Sequence, residues 1–331
     1  MKVPKINIAF FVAGTIAFSY LLYHFGVHQI FEYVQRTGIS LLYAILVWLV
    51  IYVLNTIAWR LVLGEIGSQI SSGRLFMVTV SGFSINTITP LVTVGGEPYR
   101  VKMLAQSIGM PRSISAVLLY RIVSFIGHMV SILVGIAIGF PLAALPLSLR
   151  IFLAGMFAGI FVIVSWVFSM SRRGMFERIT DWTQRHAKLE RLSTVLQERR
   201  LELRKMDAML RDAHRGRQGR FSIAVALEFV SRILMALEIC ILLHGVGIDI
   251  SITDSVFVYA LYSILINLFF FVPLNFGTLE GGMMLALQSL GLTPFFGVYL
   301  GVVTRLRDFF WIAVGLLMVL FTGQRKLPVS D

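Results

Sequence analysis

The sequence predicts an all-α polytopic membrane protein with about six full spans plus two re-entrant or broken helical hairpins, arranged as two inverted repeats. Three observations predict it. The chain is 57% hydrophobic and 14% charged. It carries a succession of apolar runs of bilayer length. A cluster of Pro, Gly, Glu and Arg positions in its first half recurs, in the same order and nearly the same spacing, in its second.

Soluble domains run near a quarter charged, so this composition argues against a soluble enzyme. A spanning helix needs about 20 mostly apolar residues. Such runs lie near 8–27, 41–63, 114–140, 148–170, 221–244 and 295–321. The first follows Lys2 and Lys5 like a secretory leader, but no small-residue cleavage site follows. It therefore reads as a retained span, with an outer loop completing residues 1–40. Repeat 1 covers 41–140 with a hairpin at 74–109, and a connecting span covers 141–171. Repeat 2 covers 221–322 with a hairpin at 253–291, and a tail covers 323–331. Each hairpin has an apolar run, a Pro/Gly-rich break, and a helix of about 12 residues. That helix is about 18 Å long, too short to cross.

Between the repeats, residues 172–220 hold 14 of the 29 Lys and Arg, among seven Asp and Glu. Leu189, Leu196, Leu203 and Leu210 recur at heptad spacing there, which predicts a basic amphipathic helix. The simpler reading rests it on anionic inner-leaflet lipid. The sharper one makes it a homodimer contact or a dock for a lipid-modifying enzyme. The net charge of +12 is thus placed as the positive-inside rule requires, not as a nucleic-acid footprint. It sets the N-terminus, the linker and the tail (Arg325, Lys326) in the cytoplasm of a multi-pass cell (inner) membrane protein.

The repeat is legible in its motifs. Pro90 stands before Glu97 as Pro273 stands before Glu280, at the same separation. Gln106 and Gln288 begin QSIG and QSLG, ending at Gly109 and Gly291, with Pro111 and Pro294 close behind. Arg121 follows Glu97, and Arg305 follows Glu280, at separations that differ by a single position. Pro90, Gly95, Gly96, Pro98, Pro273 and Gly277 are the expected helix-break residues. Inverted repeats with broken helices are a secondary-transporter architecture. Both glutamates begin a short helix, whose positive end favours an acid.

These stretches resemble a known family. GGEPYRVKMLAQSIGMPRSISAVLLYRIV, PLNFGTLEGGMMLALQSLGL and TRLRDFFW look like the flippase-like transmembrane region of the lysylphosphatidylglycerol synthase family, over about residues 8–322. Asn275 and Thr278 depart from it where glycine is common. The resemblance implies a stand-alone translocating half, without the soluble transferase domain of the bifunctional members. The expected substrate is an anionic or aminoacylated phospholipid, or a polyprenyl-phosphate lipid. The competing expectation is a non-transporting partner that presents lipid to a separate transferase.

Charges inside the membrane region are costly and mark function by default. The candidates for headgroup binding or gating are Glu97, Arg100, Lys102, Arg121, Glu280, Arg305, Arg307 and Asp308. Arg100, Arg121 and Arg305 suit phosphate, which arginine grips in a fork. Glu97 and Glu280 would receive a cationic headgroup part or a coupling proton, or would release the arginines in alternation. Alternatively, Glu97–Arg121 and Glu280–Arg305 are ion pairs that lock hairpin to span. Glu228 and Arg232, one helical turn apart, read as a local structural pair. Asn86, Asn267 and Asn275 read as partners for backbone freed at the breaks. The six histidines read mostly as interfacial or solvated, and Cys240 as a small buried hydrophobe. No metal-ligand spacing, nucleotide-binding loop or catalytic nucleophile motif stands out, so neither cofactor nor enzymatic activity is expected.

Overall fold

The computed structural model describes residues 5–89, 95–141, 145–173, 219–270 and 272–323. Pro90, the body of the 172–220 linker and the basic tail lie outside them. Among the described residues every regular element is helical. The helices are α1 (Lys5–Phe25), α2 (Val27–Thr37), α3 (Ile39–Leu63), α4 (Ser72–Ile88), α5 (Gly96–Ile108) and α6 (Met110–Gly139). They continue with α7 (Leu147–Arg173), α8 (Arg220–Gly245), α9 (Ile252–Leu268), α10 (Thr278–Ser289) and α11 (Phe295–Gly323). Segments Ile39–Gln69, Met110–Gly139 and Leu147–Val167 are long and apolar enough to cross a membrane. α8 and α11 match them in length, at 26 and 29 residues, but acids and arginines interrupt their apolar stretches.

The punctuation follows the sequence signals. Ser71 caps α4 by accepting from the Arg74 N–H at 3.3 Å, and Ser251 caps α9 by accepting from Asp254 N–H at 3.0 Å. Gly109 and Gly291 close the short helices α5 and α10 with φ of 79° and 78°. Pro111 sits in the first turn of α6, and Pro98 in that of α5.

The expected outer loop after the first run contains a helix, α2. Its Ile30, Tyr33, Val34 and Thr37 follow helical spacing and pack inward. Thr37 Oγ1 meets the Tyr299 hydroxyl at 2.8 Å, and the Tyr33 ring packs on Phe295 and Phe296. Gly26 and Gly38, both at positive φ, turn the chain on either side of α2.

Helix packing is closed under exchange of α3–α6 with α8–α11. α3 packs on α8, its own counterpart; α4 on α11 as α9 on α6; α4 on α5 as α9 on α10; α5 on α6 as α10 on α11; and α3 on α4 as α8 on α9. Glycine permits the closest crossings. Gly135 of α6 lies against Val256 and Ala260 of α9, and Gly315 of α11 against Val80 and Ser84 of α4. A third core cluster, Trp48, Ile51, Tyr52, Val80 and Trp311, joins the two groups.

Candidate functional site

The two hairpin breaks, α1, α2 and the long helices line a partly open cavity of about 970 Å³. Its walls differ in chemistry. Phe18, Leu22, Ile30, Phe31 and Val34 of α1 and α2 form an apolar side. Arg100, Arg121, Arg232, Arg305 and Asp308 bring charge from α5, α6, α8 and α11.

At the first break, the start of α5 is pressed onto the end of α4. A Cβ on Gly96 would strike Gly82 O and Asn86, and the Gly96 N–H donates to Asn86 Oδ1 at 2.7 Å. A Cβ on Gly95 would strike Thr89. This tight tip places Glu97 where Arg121 Nη2 reaches its Oε1 at 2.8 Å and Arg100 Nη1 reaches the same atom at 3.2 Å. Arg100 Nη2 also donates to Thr79 O at 3.4 Å.

The second break repeats the pair with a different closure. Glu280 is fully buried and accepts from Arg305 Nη2 at 2.6 Å, from Arg305 Nε at 3.1 Å and, through Oε2, from Gly277 N–H at 2.9 Å. Arg305 Nη1 donates to Leu274 O at 3.1 Å. It thereby holds a strained turn, in which Leu274 and Asn275 have φ of 57° and 52°. Asn is the side chain that best tolerates this region after glycine, which explains the departure at position 275. The Arg305 guanidinium lies 4.3 Å from the Phe276 ring centroid and 5.0 Å from that of Phe18 on α1. Its side chain is 15% exposed, against 43% for Arg121.

The remaining candidates separate. Asp308 lines the cavity beside Arg305, nearly one turn away on the same face. Arg307 points the other way into the core. Its Nη1 lies 2.7 Å from Glu238 Oε2, its Nε 3.0 Å from Asp308 Oδ1, and its guanidinium 4.1 Å from the Trp48 ring. Trp48 Nε1 donates to the same Glu238 oxygen at 2.8 Å. Lys102 is exposed on α5 and does not line the cavity, nor do Glu97 and Glu280. Gly277 lies at φ 77° before α10, and Pro273 opens a short 3-10 turn.

Two groups at the cavity carry contacts beyond a local pair or a solvated ring. Arg232 pairs with Glu228 at 3.4 Å as expected, yet it also faces the cavity, while buried Glu228 accepts from Tyr120 at 2.8 Å and Ser124 at 3.0 Å. His128 lies mid-helix, with Nδ1 2.8 Å from the Tyr259 hydroxyl and Nε2 3.0 Å from Asn267 Nδ2. The cue for Arg232 is its place within an apolar run. His128 carries the same cue, standing in the middle of the apolar run 114–140.

Residues 6–315 match the family described as the lysylphosphatidylglycerol synthase TM region. A UPF0104 membrane protein of Methanothermobacter thermautotrophicus is 25% identical over 335 residues, covering 95% of this chain and 94% of that protein. No solved structure matches the chain.

Proposed function

The chain belongs to the family of the lysylphosphatidylglycerol synthase transmembrane region, and from that premise we propose that it moves a lipid phosphate between leaflets of the cell membrane by alternating access. In this reading α1, α3, α6, α7, α8 and α11 are full spans. Hairpins α4–α5 and α9–α10 enter from opposite faces, and the two groups related by exchange are inverted repeats. The termini and the basic linker face the cytoplasm, and the linker rests on anionic lipid. The chain acts as a transporter, not an enzyme.

One observation carries this proposal. A single cavity joins an apolar wall to arginines from both halves. A lipid phosphate needs both surfaces: an apolar wall for its chains and forked cations for its phosphate. The exchange-related packing supports it, because rocking of one half against the other is how such repeats alternate access. The carboxylates hold the arginines in place. A phosphate arriving at Arg121 competes with Glu97 for the guanidinium, so binding loosens the tie between hairpin and span.

Proteoliposomes carrying fluorescent phospholipid or polyprenyl phosphate test the proposal by dithionite quenching. Arg121→Ala, confirmed folded, is expected to slow movement roughly 10- to 100-fold, the loss of a charged hydrogen-bonded contact. If no lipid moves faster than in empty liposomes, translocation is wrong and the lipid-presenting role takes its place.

A further inference from the structure

The cavity wall carries amides besides its arginines: Asn55, Asn86, Asn267 and Asn275. Asn86 and Asn267 each lie in the last turn of the helix that precedes a break, four residues before Pro90 and six before Pro273, so they are not matched positions of the repeat. Their internal bonds leave opposite capacities over. Asn86 spends its oxygen on Gly96 N–H, and its N–H groups make no bond among the described residues. Asn267 spends Nδ2 on Ser263 O at 2.7 Å and on His128, leaving its oxygen. Asn55 Oδ1 is buried with no hydrogen-bond partner among the described residues. The same holds for the hydroxyl of Tyr52, about one turn away on α3, a residue 1% exposed that also lines the cavity.

The acids, by contrast, stand back from the cavity or are paired. Glu97 and Glu280 are held by arginines and do not line it, although Glu97 Oε2 is buried with no hydrogen-bond partner among the described residues. Asp308 does line it, but lies 3.0 Å from Arg307 Nε. An ammonium brings only donors and no acceptor, so it can meet the amide oxygens but leaves the amide N–H groups unmet. A hydroxyl both donates and accepts, which is what a mixed set of amide N–H, amide oxygen and phenol offers. An amide-lined wall left half-satisfied favours the ligand that completes it, because unmet buried polar groups are costly.

Resting on the translocation reading, we infer that the cavity selects lipid phosphates whose headgroup is rich in hydroxyls, a polyol or a sugar, over those bearing an ammonium. The phosphate sits at the arginines, and the hydroxyls lie along Asn55, Tyr52, Asn86 and Asn267. Because an asparagine stands in the last turn before each break, a headgroup passing between the halves meets an amide beside each one.

The test compares rates in proteoliposomes for four lipids. Phosphatidylinositol and a mannosyl polyprenyl phosphate carry hydroxyls on different anchors. Phosphatidic acid carries bare phosphate, and phosphatidylethanolamine an ammonium. At least one hydroxylated lipid is expected to move roughly tenfold faster than phosphatidylethanolamine, and which of the two does so identifies the anchor. Asn55→Leu and Asn267→Leu are expected to lower that ratio roughly three- to tenfold each. A merely structural defect slows all lipids by one factor and leaves the ratio intact, which overturns the assignment. So does phosphatidylethanolamine moving as fast as the hydroxylated lipids. If nothing moves, translocation itself has failed. Native mass spectrometry of the detergent-solubilised protein, with phosphatidylinositol against phosphatidylethanolamine, then decides the headgroup inference alone.

Discussion

At the scale of single residues, the two glutamate–arginine pairs have the same design and different energetics. Glu280 is fully buried, and both its oxygens accept hydrogen bonds. Removing Arg305 leaves an uncompensated buried charge, and such losses cost about 3–5 kcal/mol. Removing Arg121 costs less, because that side chain is 43% exposed and solvent screens much of its interaction; about 1 kcal/mol is the scale of an exposed pair. Thermal unfolding in detergent should therefore show Arg305→Ala strongly destabilised and Arg121→Ala little changed. Glu280→Leu combined with Arg305→Met should recover much of the Arg305→Ala loss. Equal losses for the two single variants would remove the asymmetry from the argument. These pairs are legible in the sequence because spacing and repetition mark them: the stretch from Glu97 to Arg121 is matched, to within one position, by that from Glu280 to Arg305. The Trp48–Glu238–Arg307 cluster is not. Its members lie far apart along the chain on three helices, and no second copy flags it. Arg307 reads in the sequence as a headgroup ligand because a sequence shows that a charge is buried, not which way it points.

At the scale of helices, the long apolar helices and the breaks are legible to within a few positions, since both rest on local chemistry: runs of apolar side chains, and Pro and Gly where a helix must stop. α2 is not, because an 11-residue amphipathic helix of low overall hydrophobicity does not register as an apolar run. Its signal is periodicity between two glycines. How the helices cross is set by small residues whose role appears only in the fold. Gly315 has no room for a side chain, with Ser84 and the Val80 carbonyl against it. Gly73 faces open space. Gly315→Leu should cost about 1–3 kcal/mol or force α4 and α11 apart, read as a lowered unfolding temperature. Gly73→Leu should leave that temperature nearly unchanged. An unaffected Gly315→Leu would mean that the α4–α11 crossing is loose.

At the scale of the whole molecule, the two halves pack alike but are covered differently. α1 lies over the second break: a Cβ on Gly14 would sit 3.1 Å from Val272 Cγ1, and Phe18 packs on Phe276 and Arg305. α7 stands in the corresponding place before α8, yet packs chiefly on α6. Both arginines line the cavity, but the second station is partly covered by α1, with Arg305 15% exposed against 43% for Arg121. A carrier whose halves exchange roles must uncover the second station during its cycle, and α1 is the element in the way. Gly14→Cys with Val272→Cys, in a Cys240→Ser background, puts two thiols at this contact, where a Cβ on Gly14 lies 3.1 Å from Val272 Cγ1, for oxidation to a disulfide. Oxidation should then arrest lipid movement, and a reductant should restore it. The single-cysteine controls should be indifferent to both reagents. Movement that continues with the disulfide formed would make α1 a fixed wall, and would place the moving part at the first break, where Arg121 already faces the cavity.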